Sequence, residues 1–443
     1  MYPANLDMLR QNFSGDIILP NDAGYEEASK TILARGAPAV LVRPKTANDI
    51  ATAITFACNN SLILSIRSGG HSEAGFSTNT GGLVIDLAHM NTVEVVDVEK
   101  HLVRIGAGAK WGDVARALET HHLALSSGDT TTVGVGGLTL GGGFGLMVRK
   151  HGLTIDSLIA AEIVTADGEL LHISNTVHPD LFWAIRGGGG NFGIVTSFEF
   201  QAHPIGKVFA GKLTYGLDDL PELLKGWSDH MRTADEALTT IVNIIPAFGD
   251  TSSLALVTCC YAGDNETDAI KAIEPLKQFG AVLEDTITLK NYFEVLEEGL
   301  VPPEVKIVVN NIFAEKFTGE LIEAIVAAKR AMPNLILQLR SLGGAVNRIA
   351  SDATAFPYRD SEVMVLSLIF LPVTISEEDE KEALRPWNAI VALGTGAYSN
   401  FFSDPGKELS SMYPKATYDR LAGIKKIYDP KNIFNQNYNV RPV

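Results

Sequence analysis

Apolar positions in the first 205 residues form short runs that predict strands, and amphipathic segments that predict helices lie between them. The run Leu62–Ile66 has the composition of a buried strand, and Ile194–Phe200 alternates apolar and polar residues with a period of two. Thr46 is a capping residue at the start of an amphipathic helix. The segments Ile159–Thr165 and Glu169–Ile173 flank a turn and predict a β-hairpin.

Longer strands alternate with amphipathic helices from about residue 206 to residue 400. Val363–Leu371 predicts a strand and Leu321–Met332 predicts a helix. Glycine is common before this region and much rarer within it, so we place a domain boundary between the two. The pattern predicts an α+β protein with a first domain over residues 1–205, a second over 206–404 and a C-terminal segment over 405–443.

Composition and charge narrow the classes of protein. The 443 residues are 46% hydrophobic and 20% charged, which is typical of a globular chain with a large core. There are 36 Lys and Arg against 52 Asp and Glu, and the formal net charge of −16 disfavours nucleic acids and anionic membranes as partners. The sequence contains no apolar run of transmembrane length and no secretory signal pattern. We therefore expect a cytoplasmic protein.

Metal-binding patterns are absent from the sequence. The three cysteines, Cys58, Cys259 and Cys260, show no CxxC or Cys/His spacing, and we expect them to be small buried residues. The histidines lack the spacing of a helical zinc motif. We expect no metal site.

Three glycine-rich clusters lie close together in the sequence, at Ser68–Gly70, Gly134–Gly145 and Gly187–Gly193, and account for many of the 41 glycines. Glycine permits positive φ and lets a ligand approach the backbone closely. Successive backbone N–H groups in such turns form concave sites for phosphate. One cluster alone usually marks a turn. Three clusters in one region favour a ligand that contains phosphate.

The common nucleotide-binding motifs do not fit these clusters. Gly134–Thr139 and Gly187–Phe192 both lack the last glycine of the dinucleotide motif GxGxxG. No cluster supplies the Gly-Lys-Ser/Thr of a P-loop, and the GxSxG of serine hydrolases is missing. These exclusions leave a less common cofactor-binding fold.

A set of motifs along the chain resembles the FAD-linked oxidases of the berberine-bridge-enzyme type, in the vanillyl-alcohol-oxidase superfamily. They follow one another in order and cover nearly the whole chain: Arg67-Ser-Gly-Gly-His71, Thr132–Gly137, Gly141–Gly145, Asp180–Val195, Gly343–Arg348, Ala353–Arg359, Ala397–Asn400, Tyr428–Phe434 and Asn437–Val440. The resemblance implies a PCMH-type FAD-binding domain of two subdomains. It also implies an α/β substrate domain with an antiparallel sheet covered by helices, and a C-terminal segment that returns to the FAD domain.

The resemblance implies a covalent bond between His71 and the 8α-methyl carbon of the flavin. Many relatives form a second bond from a cysteine at the position that matches Thr130 here. Because this position is not a cysteine, we expect FAD to be attached once, through His71. Such a link tethers the cofactor and tunes its potential.

The same resemblance implies the other contacts with FAD. The backbone from Arg67 to Ser72 would hold the pyrophosphate, the two glycine turns would follow the ribityl chain, and the tail would reach the isoalloxazine ring. The predicted contacts are Arg67, Ser68, Gly69, Gly70, Ser72, Thr130, Val133, Gly134, Gly136, Gly137, Gly141, Gly142, Phe144, Val195, Asn437 and Asn439.

The family's catalytic bases are missing from this sequence. The tyrosine of the family motif A-Y-x-N-Y is Phe401 here, and Glu362 is the acid closest to the glutamate of the berberine enzymes. One interpretation is that the substrate is an amine that needs no strong protein base. The other is that Tyr398, Tyr438 or a bound water accepts the proton. Tyr398, Asn400 and Tyr438 are the candidate catalytic residues.

The predicted function is oxidation of a small organic substrate, at an amine or alcohol carbon, by a flavoprotein oxidase that reduces O₂ to hydrogen peroxide. A flavin dehydrogenase with another electron acceptor is an alternative, and a flavin-binding protein without turnover is a third possibility. The expected partners are the small-molecule substrate and O₂. A monomer or a homodimer is expected.

Overall fold

The computed structural model describes residues 6–247, 252–298 and 305–443. Residues 1–5 of the predicted first domain and residues 248–251 and 299–304 of the predicted second domain lie outside these ranges. Helices and strands both occur throughout the described chain, and most strand pairs are antiparallel. The predicted α+β class is confirmed.

Short helices and strands alternate in residues 6–204. The helices are α1 (Leu6–Asn12), α2 (Tyr25–Ser29), α3 (Ala47–Asn59), α4 (Trp111–Glu119), α5 (Val135–Gly141), α6 (Val148–His151) and α7 (Pro179–Ile185). The strands are β1 (Asp16–Ile18), β2 (Val40–Arg43), β3 (Leu64–Arg67), β4 (Leu83–Asp86), β5 (Val93–Asp97), β6 (Leu102–Gly106), β7 (Leu123–Ala124), β8 (Leu158–Val164), β9 (Leu170–Ser174), β10 (Ile194–Gln201) and β11 (His203–Pro204). Single 3₁₀ turns occupy Leu87–His89 and Thr154–Asp156.

Longer elements follow. The strands are β12 (Lys207–Tyr215), β13 (Leu238–Ile245), β14 (Leu254–Tyr261), β15 (Val282–Asp285), β16 (Thr288–Asn291), β17 (Val305–Ala314), β18 (Ile336–Ser341) and β19 (Val363–Pro372). The helices are α8 (Leu220–Met231), α9 (Glu266–Ile273), α10 (Gly319–Ala331), α11 (Glu377–Leu384), α12 (Trp387–Val391) and α13 (Lys415–Tyr428). The 3₁₀ turns are Glu274–Gln278, Tyr292–Val295, Val346–Arg348, Ser399–Phe401 and Leu409–Ser411.

Two larger sheets organise the first region. One has the order β1-β2-β4-β3, with β2, β4 and β3 parallel, and the other is antiparallel with the order β5-β6-β10-β8-β9. The predicted hairpin is the pair β8–β9. Helix α3 begins at a capping box, because Thr46 Oγ1 accepts the N–H of Asp49 and the Asp49 carboxylate accepts the N–H of Thr46.

A single antiparallel sheet with the order β15-β12-β14-β13-β18-β19-β17 dominates the second region, and β16 also pairs with β12. Successive side chains of a strand point to opposite faces. Val242, Val257 and Leu339 face one side, where they pack in an apolar cluster with residues of α8, α9 and α10. Asn243 and Arg340 face the other side, which lines a cavity. The predicted antiparallel sheet covered by helices is confirmed.

Residues from the end of the chain belong to the core of the first region. Leu421, Phe434 and Val440 are fully buried in the same apolar cluster as Phe182 and Phe192. The C-terminal segment therefore packs into the first region, against residues that are far from it in the sequence.

Two local predictions differ from the structure. Residues 135–141 form helix α5 where the glycine content predicted a turn, because Val135 is fully buried in the core and its N–H donates to Ala109 O (2.9 Å). Cys58 is exposed on α3, so its predicted burial is wrong, whereas Cys259 and Cys260 are buried.

Candidate functional site

A cavity of about 650 Å³ lies between the first region and the large sheet. Its walls include the loop after β3, helix α5 with the residues before it, the 188–195 segment with the tail, and the face of the large sheet opposite its helices. Residues 295–298 and 398–402 also contribute to the lining. The three glycine clusters thus lie around one cavity.

The loop after β3 presents backbone N–H groups to the cavity. Strand β3 ends at Arg67, whose side chain is buried and donates to Ser77 O and Ala28 O, which fixes the start of the loop. The N–H groups of Gly69, Gly70 and His71 have no acceptor within the described ranges. Gly70 has φ of 75°, a conformation that makes successive N–H groups converge. This loop can bind an anion such as a phosphate.

His71 is the next residue of this loop and has one ring nitrogen engaged. Its Nε2 shares a hydrogen bond with Thr132 Oγ1 at 2.9 Å, and Nδ1 has no partner in the described part of the chain. Burial lowers the pKa of His71 to about 4, and the nearby Lys110 acts in the same direction. The imidazole is therefore neutral at pH 7, and the tautomer in which Nε2–H donates to Thr132 Oγ1 has its lone pair on Nδ1.

Helix α5 and the residue before it form the second wall. Gly69 and Gly134 pack backbone against backbone, so that a Cβ on either one would collide with the other. Gly137 also lines the cavity, but a Cβ there would meet no atom within 4 Å. The first two glycines are needed for the contact between the two loops, and the third leaves space in the cavity.

The tail and the third glycine cluster form the next wall, and Asn191 connects them. Its Nδ2 donates to Gly188 O (2.9 Å) and to Tyr438 O (3.2 Å), and its Oδ1 accepts the N–H of Val440 (2.9 Å). Asn437 lines the cavity, and its buried Oδ1 has no donor in the described ranges. A buried acceptor without a partner is costly, so it indicates a missing donor.

The sheet provides a polar wall with two ion pairs. Arg340 donates to Asp129 Oδ2 (2.6 Å) and to Gln338 Oε1 (2.7 Å), and its guanidinium lies 5.4 Å from the Phe401 ring. Lys212 forms an ion pair with Glu297. Both cations of this wall are therefore neutralised by carboxylates.

Tyr398 and Asn400 are hydrogen-bonded to each other at the C-terminal side of α5. Tyr398 is buried, and its hydroxyl oxygen accepts the N–H of Gly143 (3.1 Å) and Asn400 Nδ2 (3.0 Å). Asn400 Nδ2 also donates to Gly137 O. Burial raises the pKa of Tyr398 to about 12.

Tyr438 and Glu73 lie at another part of the cavity wall. The Tyr438 hydroxyl is within hydrogen-bond distance of Asp404 O (3.0 Å) and Phe402 O (3.2 Å), and its ring packs edge-on against Phe76 at 5.1 Å. Burial raises the pKa of Tyr438 above its usual range, and Glu73 and Asp404 add to this effect. Burial also raises the pKa of Glu73, to about 7.

The cavity brings most of the predicted site residues together. Those that line it are Ser68, Gly69, Gly70, His71, Ser72, Thr130, Val133, Gly134, Gly136, Gly137, Phe144, Val195, Asn437, Tyr398, Asn400 and Tyr438. Four predicted residues are not part of its lining: Arg67, Gly141, Gly142 and Asn439. At Gly141 the space that a Cβ would need is occupied by Asn400. Arg67 instead fixes the start of the loop through its hydrogen bonds to Ser77 O and Ala28 O.

Sequence reasoning missed several residues of the cavity. Glu73 lies two residues after the end of the recognised Arg67–His71 motif, so an acidic side chain beside that motif was an available signal. Lys212, Gln338 and Arg340 come from strands whose order in the sheet joins distant parts of the chain. No local pattern marked these three.

Glu362, the acid closest to the family's glutamate, does not line the cavity. It forms ion pairs with Arg232 (3.0 Å) and Lys316 (2.9 Å). Although burial opposes ionisation, these cations and the N–H of Phe317 lower the pKa of Glu362 to about 2. It is a structural carboxylate.

Comparison with known proteins decides the family. Residues 38–174 match the model of an FAD binding domain, and residues 397–441 match the model of berberine and berberine-like proteins. The chain is 33% identical to an uncharacterized FAD-linked oxidoreductase of Bacillus subtilis, over 98% of this chain and 99% of that protein. The chain belongs to the berberine-bridge-enzyme-like family of FAD-linked oxidoreductases. It is an FAD-dependent oxidoreductase.

Further members of the berberine-bridge-enzyme-like family agree in sequence and structure. An (R)-6-hydroxynicotine oxidase of Paenarthrobacter nicotinovorans is 30% identical over 97% of both chains. The crystal structure of 6-hydroxy-D-nicotine oxidase from Arthrobacter nicotinovorans matches with a TM-score of 0.87 and 28% identity, over 97% of this chain and 98% of that one. The predicted family and its PCMH-type fold are confirmed.

The residues of this berberine-bridge-enzyme-like protein fit FAD. The free N–H groups of Gly69 and Gly70 are donors for a pyrophosphate, and the unpaired Oδ1 of Asn437 is an acceptor for a ring N–H. The open space beside Gly137 leaves room for a ligand against α5. These three features come from three different walls of the same cavity.

Neither a metal cluster nor a membrane-spanning helix occurs among the described residues. No group of three His, Cys, Asp or Glu side chains in the described ranges is arranged to hold a metal ion. Among the helices of the described chain, none is long and apolar enough to cross a membrane.

Proposed function

We propose that this protein is an oxidase whose FAD is attached by one covalent bond to His71. The main support is the environment of His71. Its Nε2 is hydrogen-bonded to Thr132, its Nδ1 has no partner in the described ranges, and its ring is neutral at pH 7. A neutral imidazole with a fixed orientation is the form that can bond to carbon. We propose Nδ1 as the bonding atom.

The cysteines support a single attachment. Thr130 lines the cavity at the position where relatives carry a cysteine. Cys58 is exposed on α3, and the buried pair Cys259 and Cys260 lies in β14; none of the three lines the cavity. No thiol of this chain is placed to form a second bond.

We propose that the walls of the cavity have different roles. FAD supplies the oxidant when bound, accepting a hydride from a substrate carbon next to nitrogen or oxygen. The loop at Gly69 and Gly70 holds the pyrophosphate, and Asn437 orients the ring. The sheet residues Gln338 and Arg340 face the substrate. Residues 1–205 with 405–443 form the FAD domain in this proposal, and residues 206–404 form the substrate domain.

The charges of the cavity support an amine as the substrate. Both of its cations are paired with carboxylates, as described above, so an excess of acidic groups remains. The lining acids are Glu73, Asp129, Glu297 and Glu298, against Lys212 and Arg340. A negative, partly enclosed cavity favours a cationic ligand. One relative is named for oxidation of 6-hydroxynicotine, which is an amine.

Oligosaccharides are the second candidate substrate. Relatives named chitooligosaccharide oxidase and glucooligosaccharide oxidase are 28% and 27% identical to this chain. Here, however, the position of the family tyrosine is Phe401, which lines the cavity without a hydroxyl. We therefore place amines first. Molecular oxygen is the proposed acceptor, with hydrogen peroxide as its product.

Two measurements test the proposal. The purified wild type is denatured and run on a gel, where flavin fluorescence should remain with the protein band and should be lost in His71→Ala but kept in the control His121→Ala, an exposed histidine. Peroxide is then measured with (R)-6-hydroxynicotine, other cyclic amines and chitooligosaccharides. Flavin released by denaturation contradicts the covalent bond. Peroxide from the sugars alone contradicts the amine.

The electron acceptor is tested separately. Turnover with an artificial dye acceptor but without peroxide would identify a dehydrogenase. A flavin that no tested substrate bleaches under anaerobic conditions would identify a binding protein without turnover.

A further inference from the structure

Glu73 is a carboxyl group inside the cavity that has no partner. It lies two residues after His71, beside Phe76 and Tyr438. Within the described ranges its carboxyl makes no hydrogen bond and no ion pair. Glu73 is half-buried, and a carboxyl withdrawn from water is normally paired or hydrogen-bonded, because its charged form is costly without a partner. An unpaired one in a ligand cavity indicates a functional group.

The charged groups around Glu73 leave it without a counterion. On the sheet wall, Arg340 is bound by Asp129 and Lys212 by Glu297. Burial alone accounts for the raised pKa of Glu73, about 7, so its neighbours contribute little. The carboxyl can therefore gain and lose a proton near neutral pH.

The two tyrosines of the cavity are poorly suited to accept a proton. The oxygen of Tyr398 already accepts two hydrogen bonds, from Gly143 and Asn400, and the pKa of Tyr398 is raised to about 12. The Tyr438 hydroxyl lies against two carbonyl oxygens and donates its single hydrogen to this pair, and its pKa is raised further. Neither is a base at pH 7.

The other ionisable groups in or near the cavity are also unavailable as proton acceptors. Glu362 lies outside the cavity in ion pairs. His71 has one nitrogen bound by Thr132 and uses the other for FAD in the proposed function. Asp129 and Glu297 are held by their cations, and Glu298 is exposed to solvent. Glu73 is the lining group with both an open site for a proton and a position next to His71.

We propose that Glu73 is the proton acceptor in this oxidation, a role that rests on the proposed amine substrate. In the bound ammonium, an N–H bond breaks and an O–H bond forms on the Glu73 carboxylate. The freed lone pair on nitrogen can then form the C=N bond as the neighbouring C–H hydrogen leaves as hydride, for which bound FAD would be the acceptor. The product is an iminium ion, and Glu73 later returns its proton to solvent. The acceptor O₂ takes the two electrons and two protons as hydrogen peroxide.

The test is anaerobic bleaching of the flavin in the holoenzyme by (R)-6-hydroxynicotine, followed from about pH 5 to about pH 9. The apparent second-order rate constant of flavin bleaching should rise with pH, with a midpoint near the Glu73 pKa of about 7. Glu73→Gln should lower it by about 100-fold or more and abolish this rise, because the amide cannot accept a proton. Glu99→Gln, an exposed carboxyl outside the cavity, should match the wild type.

A second measurement does not depend on turnover. Infrared difference spectra of the oxidised holoenzyme should show a carboxylic-acid band that titrates with a midpoint near 7 and that Glu73→Gln removes. If Glu73→Gln takes up no flavin, Glu73→Asp decides, since the shorter acid keeps the pH rise but moves its midpoint. A midpoint that is unchanged in Glu73→Asp contradicts the proposal.

The outcomes separate this role from the proposed function. A wild type whose flavin is not bleached by (R)-6-hydroxynicotine or by the other cyclic amines contradicts the amine substrate. A wild type that is bleached, together with a Glu73→Gln variant of equal rate and equal pH profile, contradicts only the role of Glu73.

Discussion

Lys425 and Asp429, one turn apart on and after α13, form an ion pair of 2.7 Å in which both side chains are fully buried. Lys425 Nζ also donates to Asn191 O (2.6 Å) and Phe434 O (2.9 Å). Asp429 in turn accepts the N–H of Phe434 (2.9 Å). This cluster holds the tail against the glycine segment that lines the cavity.

Replacing Lys425 with methionine should destabilise the protein strongly. The change leaves the Asp429 carboxylate buried without its cation, which costs about 3–5 kcal/mol in comparable pairs. Urea unfolding should show a lower midpoint than the wild type. Lys426→Met is the matched control, since Lys426 is exposed and its loss should change the free energy of unfolding by less than about 0.5 kcal/mol. Equal midpoints for the two variants would show that the buried pair is unimportant.

Thr132→Val should slow covalent attachment of FAD without preventing it. The hydroxyl orients His71 through one hydrogen bond, and such a bond contributes about 0.5–1.5 kcal/mol, or roughly 2- to 12-fold in rate. The measurement is the growth of gel fluorescence after FAD is added to protein purified without it. Thr131→Val serves as the control, because the Thr131 hydroxyl makes no hydrogen bond in the described ranges. Equal rates for the two variants would contradict the orienting role.

Gly69→Ala and Gly137→Ala should separate folding from cofactor binding. A Cβ on Gly69 would collide with the backbone of Gly134, so this variant should lose stability even without FAD. A Cβ on Gly137 meets no protein atom and lies in a helix, where alanine is favoured by about 0.5–1 kcal/mol. Gly137→Ala should therefore keep or gain stability without FAD while taking up less FAD. Thermal unfolding and FAD titration measure the two effects, and a reversed pattern would contradict the assignment of the two glycines.

Acid should destabilise the protein through a half-buried histidine pair. The rings of His151 and His203 stack at 3.8 Å, and burial lowers their pKa values to about 3 and about 4, with Lys150 adding to both effects. The unfolded chain binds protons at these residues below about pH 6.5, while the folded chain does not. Their stability contribution is thus complete above pH 6.5 and is lost as the pH falls towards 4.

The variant His151→Phe tests this linkage. Between about pH 6.5 and about pH 4, the fall in unfolding free energy should become shallower by about 1.4 kcal/mol per pH unit, since one proton fewer is taken up. Urea unfolding across this range measures the slope. His121→Asn, a change at an exposed histidine, should keep the slope of the wild type.

Local patterns predicted the parts of the fold that local interactions determine. The Thr46 cap, the β8–β9 hairpin and the strand at Ile194 all depend on residues close in sequence. Helix α5 was missed because its glycines have low helix propensity, and the burial of Val135 overrides that preference. The order of the large sheet depends on pairs such as β12–β14, which no local signal specifies.

The same distinction applies to the site. The FAD-binding wall follows contiguous motifs, so residues such as Gly69 and His71 could be recognised in the sequence. The sheet wall, which is the proposed substrate side, is built from alternate residues of distant strands, among them Asn243 and Arg340, and only the folded sheet brings them together. The chemistry of the cofactor could therefore be predicted, and the identity of the substrate could not.

The burial of the tail in the first region has a consequence for how the protein is made. Phe182 and Phe192 share one core with Leu421 and Phe434, so that core lacks part of its apolar surface while only the first half of the chain has been synthesised. Contacts so far apart in sequence also form slowly. The FAD cavity is thus completed only after synthesis has passed residue 440, so the proposed attachment of the flavin to His71 should follow translation instead of accompanying it.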